Sequence, residues 1–123
     1  MSVTSFRDLR VWQGGVDLVV CIYRLTRAFP KHELYGLAGQ MQRAAVSIPS
    51  NIAEGHTRSH SKEYLQHLCI AQASLAELQT QIEIAARLQY CTQMEYDQLS
   101  QQAAGISRQL YALHNAVSKR QDR

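Results

Sequence analysis

The chain has 123 residues, with thirteen Lys and Arg against ten Asp and Glu and a formal charge of +3 at pH 7. That length implies one domain, 1–123, able to bury its own core; no apolar run approaches the ~20 residues of a membrane span, and the opening MSVTSFRDLR lacks the apolar segment of a secretory signal. Cys21, Cys69 and Cys91 are odd in number and lie in apolar or helical surroundings, so they read as reduced, packed thiols of a cytoplasmic protein and not as a disulfide framework.

The first helix is expected over about 6–28. It begins near Ser5, three residues before Asp8 in a variant of the capping box. Leu9, Trp12, Val16, Val19 and Tyr23 follow at spacings of 3, 4, 3 and 4, the face that a bundle member packs. Gly14 and Gly15 interrupt it at ~1 kcal/mol each relative to Ala. They mark either an inefficient helix interior or the close approach of another backbone. Phe29-Pro30 ends the helix, because Pro disfavours a helical residue before it.

The second helix is expected over 33–54. Leu34, Leu37, Met41, Ala45, Ile48 and Ile52 keep one phase straight through Pro49, so the helix should bend there and carry on. Pro49 has no N–H to give the carbonyl of Ala45 and its ring crowds that carbonyl, which a nearby serine hydroxyl or a water would then satisfy. Gly55 is expected at the C′ position, where positive φ costs least.

A short polar link, HTRSH, leads to the third helix, 61–89. Ser61 is its expected N-cap, and Glu63 suits the positive end of the dipole. Leu68, Ala71, Leu75, Leu78, Ile82 and Ala85 keep a strict 3–4 alternation. The fourth helix, 93–118, opens on a capping box, Thr92-Gln-Met-Glu95, and places Leu99, Ala103, Ile106, Leu110, Leu113 and Val117 on one face. Lys119 and Arg120 suit its C-terminal end, and the tail SKRQDR should fray. No strand pattern appears. Short links make sequential helices antiparallel neighbours, and sustained heptad spacing favours shallow crossings. The expected fold is all-α: an up-down-up-down four-helix bundle with a Pro-bent second helix.

Four blocks carry a resemblance: FRDLRVWQ (6–13), FPKHELYGL (29–37), QMQRAAVSIPSNIAEG (40–55) and KEYLQHLCIAQASLAELQTQIEIA (62–85). In order and spacing they resemble the four-helix bundle proteins encoded in rRNA intervening sequences, more distantly the accessory protein of diversity-generating retroelements. The resemblance spans nearly the whole chain, and RAAVSIPSNIAEG is its most specific block. It implies a bundle with a bent second helix that assembles as a ring-like homo-oligomer, a homopentamer. For the retroelement cousin it implies nucleic-acid binding through a basic surface, with a reverse transcriptase as partner. Gly14-Gly15 departs from the family pattern, in which a bulkier, alanine-like position is usual.

Chemistry is sparse. There is no Gly-rich phosphate loop, nucleophile elbow or Cys-x-x-Cys, and no Glu-x-x-His pair of the kind that holds two metals in a bundle. His56, His60 and His67 are read as surface histidines, because Gly55 should stop the helix before the first two can share a metal. No catalytic residue, cofactor or metal is expected. Ser47, Pro49, Ser50, Asn51 and Glu54 form a polar cluster at the bend, read first as satisfying the backbone groups that Pro49 and the helix end release, or as part of an interface.

The basic residues are the stronger lead. Residues 1–60 carry seven Lys and Arg against four Asp and Glu, while 61–123 carry six against six. Arg24, Arg27 and Lys31 fall at i, i+3 and i+7; Arg7 and Arg10 lie near the start of the first helix; Arg43 and Arg58 flank the bend. Their mechanism would be phosphate contact and counterion release, and five copies would carry a formal charge of about +15. Few aromatics accompany them, so readout of backbone and shape is expected, not base stacking. The expected function is a non-enzymatic cytoplasmic homopentamer that binds RNA or DNA through this surface without strong sequence preference. The alternative is an interaction scaffold that docks a protein partner. No membrane is expected as a partner.

Overall fold

A computed structural model describes residues 5–120, and every regular element among them is helical. A 3-10 turn at Phe6–Asp8 leads into α1 (Arg10–Thr26). A second turn at Lys31–Glu33 precedes α2 (Leu37–His56), and α3 (Ser61–Arg87) and α4 (Gln93–Ser118) complete the chain. Residues 1–4, and residues 121–123 of the tail expected to fray, lie outside the described residues. Each helix packs on the next and α4 closes against α1, giving an antiparallel four-helix bundle. The end where α1 and α3 begin and α2 and α4 finish is called the base here, and the other end the top.

The core is the sum of one apolar stripe from each helix. Leu68, Ala71, Leu75, Leu78, Ile82 and Ala85 of α3 are all buried, as their alternation predicts, and so are Leu99, Ala103, Ile106, Leu110 and Val117 of α4. The Thr92 capping box forms: the Thr92 Oγ1 accepts from the Glu95 amide at 3.1 Å and Glu95 Oε1 accepts from the Thr92 amide at 2.8 Å.

α1 departs from expectation in phase. Its buried residues are Val11, Gly15, Leu18, Ile22, Leu25 and Thr26, and the first five lie one step round from the predicted face. Trp12, Val16 and Val19 are only half-buried and Tyr23 is exposed. The helix also begins later than Ser5. The Ser5 hydroxyl accepts from the amide of Arg7 and caps the 3-10 turn, and the extended Leu9 then separates that turn from α1. Gly15 faces the Pro49 ring, to which an added Cβ would stand 3.4 Å. α2 thus packs directly on Gly15, but at an ordinary contact distance that leaves room for a methyl, so this contact does not require a glycine.

α2 begins at Leu37, four residues after Glu33, whose Oε1 accepts from the Leu37 amide at 3.1 Å. It runs through Pro49 and past Glu54 to His56. Gly55 is not the C′ residue that the sequence suggests. It is buried inside the last turn, and a Cβ there would lie 2.8 Å from His67 Cβ and 2.9 Å from Tyr64 Cδ1. It is a glycine because α3 crosses there, not because the backbone turns. The one positive φ among the described non-glycine residues belongs to Gln89, at 62°. Gln89 donates from its amide to Ala86 and Tyr90 to Ala85, the paired bonds of a Schellman ending for α3. Ser61, expected as the N-cap of α3, is its first residue, with His60 in the cap position.

Candidate nucleic-acid interface

The polar cluster at Pro49 is divided by the helix. Ser47, Asn51 and Glu54, spaced four and three apart, look toward α3. Ser47 Oγ and Ser74 Oγ are 2.8 Å apart, and Asn51 Nδ2 donates to the Ser47 carbonyl at 2.9 Å. That carbonyl only accepts, so the amide orientation is set and Asn51 Oδ1 must accept from His67 Nδ1 at 2.9 Å. His67 therefore carries its proton on Nδ1. Glu54 Oε2 stands 3.7 Å from the same nitrogen. This makes His67 a half-buried member of the α2–α3 seam, not the surface histidine that its spacing suggested. The Ser47 hydroxyl, a candidate to satisfy the Ala45 carbonyl, is held by Ser74 and Asn51. Pro49 points instead at α1, and Ser50 is exposed beside it.

The seven predicted basic residues are all exposed, but they do not form one patch. Arg10 and Arg24 are fourteen residues apart on α1, about 21 Å at 1.5 Å per residue. Arg7, Arg10 and Arg58 belong to the base. Arg24, Arg27 and Lys31 belong to the top, and Arg43 lies along α2 between them.

The topology brings to the base three further cations that are not among the predicted binding residues. Lys62 is the second residue of α3, and Lys119 and Arg120 follow α4. Contacts tie these ends together: Arg120 Nε donates to Ser61 Oγ at 3.1 Å, its guanidinium lies 5.7 Å from the Tyr64 ring centre, and His56 Nδ1 is 3.2 Å from the Tyr64 hydroxyl. The 3-10 turn that carries Arg7 packs against α2. Among the described residues the base thus holds six Lys and Arg against three carboxylates, Asp8, Glu54 and Glu63. The top holds four, Arg24, Arg27, Lys31 and Arg87, against Glu33, Glu83, Glu95 and Asp97, and the middle holds two against two. The whole net charge of the described residues, +3, therefore sits at one end.

The carboxylates at the top are engaged. Glu33 accepts from the Leu37 amide and from the Tyr90 hydroxyl, the latter at 2.9 Å. These bonds, the amide first, hold its carboxyl below the ordinary 4.5, while the same carboxylate pushes the Tyr90 phenol up. Glu83 accepts from the Tyr96 hydroxyl at 2.7 Å and from Arg87 Nε at 3.0 Å, and these bonds, Tyr96 first, likewise lower its carboxyl. At the base, Arg10, Arg58, Lys62 and Lys119 make no ion pair among the described residues. Among those residues no three His, Cys, Asp or Glu side chains stand close enough to share a metal ion. No described helix is long and apolar enough to cross a membrane.

Fold and charge together define a small antiparallel helical bundle with one basic end. The sequence profile of the 23S rRNA-intervening sequence protein family matches residues 7–112, and the chain belongs to that family. No curated protein matches it. A crystal structure of a protein of unknown function from the S23 ribosomal protein family of Bacteroides thetaiotaomicron shares the fold, with a TM-score of 0.79 and 21% identity over 85% of this chain and 95% of that one.

Proposed function

We propose that this chain is a non-enzymatic, cytoplasmic, ring-like homopentamer that binds the phosphate backbone of RNA or DNA with little sequence preference. The observation that carries the reading is the basic end: all of the net charge of the described residues lies where four exposed cations make no ion pair among those residues. Such a surface gains affinity by releasing counterions and reads no base edge. The name of the family, which refers to a 23S rRNA intervening sequence, fits a polyanionic partner. The ring rests on the family resemblance. Closing a ring needs two different surfaces per copy, and exposed Ile70, Ile84 and Tyr111 offer apolar area on α3 and α4. Within the ring we place a bend at Pro49, whose missing N–H takes one bond from α2.

Three measurements test this. Sedimentation or light scattering should give a mass near five chains, and a stable monomer would overturn the ring. Fluorescence anisotropy of labelled hairpin RNA and duplex DNA should show affinity falling steeply with salt, with a log–log slope of about −0.9 per phosphate contact on duplex DNA. No binding at low salt would overturn the nucleic-acid reading. For the bend, a Pro49→Ala structure whose α2 superimposes on the parent would remove the proline as its cause.

A second reading has its own support at the top, where Leu34, Tyr35 and Met94 are exposed, Tyr35 at 91% and Met94 at 79%. Such a surface suits a scaffold that docks a protein partner. Salt-insensitive capture of one protein, lost on Tyr35→Asp, would favour that reading over the first.

A further inference from the structure

We propose that the groove between α1 and α2 takes one unpaired base of a single-stranded nucleic acid, stacked on Trp12. The inference rests on the phosphate-binding reading above and adds a base to it. Sequence spacing gave no sign of a stacking platform, because the aromatics meet only through the 3-10 turn. That turn folds Phe6 back onto Trp12, with ring centres 5.2 Å apart and the planes at 62°, and sets the Arg7 guanidinium 4.7 Å from the centre of the Phe6 ring. An aromatic pair with a cation on it is the local composition that single-strand binders use.

Beside this pair the groove opens, with a cavity volume of about 280 Å³. Trp12, Val16 and Val19 wall one side, and Val46, Pro49 and Ala53 the other. The space is just under the range of drug-sized pockets, so it suits a single flat ring better than a whole elaborated ligand. The six walls carry no charge. The remaining lining residue is Ser50, so the groove can hold a ring face but has little with which to tell one base from another. That is the behaviour of stacking sites, whose affinity comes from the π-face common to all bases.

Charge says which ring belongs there. Arg7 and Arg10 precede Trp12 in the chain, and Arg58 follows the end of α2 at the same end of the bundle. Asp8 lies next to Arg7 in the 3-10 turn and offsets one of these charges, but no described carboxylate lines the groove: Glu54 faces α3, and Asp17 lines the other side of α1, toward α4. A free apolar ligand would gain nothing from the three cations. A base joined to phosphates on both sides would place its ring in the groove and its backbone on the arginines. In a duplex the ring is stacked within the helix and not available, so the groove distinguishes single strands from double.

Trp12 is the chain's only tryptophan, so its emission reports the groove directly. The full-length protein would be titrated with labelled oligothymidine, oligouridine, a DNA duplex and inorganic polyphosphate, reading Trp emission and probe anisotropy together. Oligothymidine or oligouridine should quench the emission, while duplex and polyphosphate should bind by charge and leave it unchanged. Trp12→Leu should weaken single-strand binding about 5- to 150-fold, the worth of one stacked base, and change duplex binding less than about twofold. Ala53→Leu, which narrows the groove and leaves Trp12 in place, should abolish the quenching and guards against a Trp12 variant that fails to fold. Single strands that bind with unchanged emission would overturn the stacking and leave the phosphate reading standing. No binding of any polyanion at low salt would overturn both.

Discussion

At the top of the bundle Glu33 is held by Tyr90 and the Leu37 amide, and Glu83 lies between Tyr96 and Arg87. At the base Arg10, Arg58, Lys62 and Lys119 face solvent with no ion pair among the described residues. Both ends are built from short turns and helix termini rich in charge. The difference is what the charges do. At the top they close loops: the Tyr90–Glu33 bond joins the α1–α2 connection to the α3–α4 connection, with the Phe29 and Tyr90 rings 5.0 Å apart beneath it. At the base the loops are closed by other means, Gly55 under α3 and Arg120 over Ser61 and Tyr64, which leaves most of the cations for a partner. A count of charges along the chain does not separate these cases.

The comparison can be broken in several places. The largest effect should come from the core common to both ends: Leu110→Ala or Leu75→Ala is expected to lose ~2–5 kcal/mol in denaturant unfolding, and a loss under about 1 kcal/mol would mean that these faces do not form the core. Next, Gly55→Ala should cost ~1–3 kcal/mol, because its methyl meets His67 and Tyr64. It should also splay α2 from α3 and part Arg58 from Lys62, so nucleic-acid affinity should fall with stability. In the opposite direction, Gly14→Ala and Gly15→Ala place a methyl at ordinary contact distance, 3.7 Å from Ile106 and 3.4 Å from Pro49, and should each add up to ~1 kcal/mol from helix propensity. A loss at Gly14 would mean that α1 and α4, and a loss at Gly15 that α1 and α2, are already packed too tightly to accept a methyl.

The smallest effect concerns pH and belongs to the top. Glu33 and Glu83 have carboxyls lowered from 4.5 in the folded chain. The stability they contribute is therefore present above that ordinary value and is lost as pH falls through the lowered one. Thermal melts of Glu33→Gln and Glu83→Gln should lose less Tm than the parent as pH drops below about 4.5, whereas Arg58→Ala with Lys62→Ala should follow the parent's curve. If the base variant also flattened the acid limb, the two ends would not be electrically separate.

How much of this was legible in the sequence depended on whether neighbouring residues carried the signal. The core faces of α3 and α4 are legible because their alternation is strict and their opposite faces are polar, with Leu113 only half-buried at the end of its stripe. α1 was misread because it bears two apolar stripes. Gly15 interrupts the inner one, while Trp12, Val16 and Val19 make the outer one look like the core. That outer stripe is the wall of the groove. Gly55 was misread because a glycine near the end of an apolar phase looks like a helix stop, and only the crossing of α3 reveals its purpose. The basic end was half legible. Arg7, Arg10 and Arg58 were visible as candidates, but Lys62, Lys119 and Arg120 join them through topology alone. The stripe of Arg24, Arg27 and Lys31 looked stronger in the chain than it is in the fold, where four carboxylates share its end.

The most direct test compares the two ends in one assay. Arg10, Arg58, Lys62 and Lys119 would be changed to Ala in one variant, and Arg24, Arg27 and Lys31 in another, with anisotropy of hairpin RNA and duplex DNA read across salt. The account predicts that the base variant loses most of the affinity and that its log–log salt slope on duplex DNA shrinks by about 0.9 for each contact removed, while the top variant keeps a slope close to that of the parent. Equal losses from both variants, or a larger loss from the top, would contradict it.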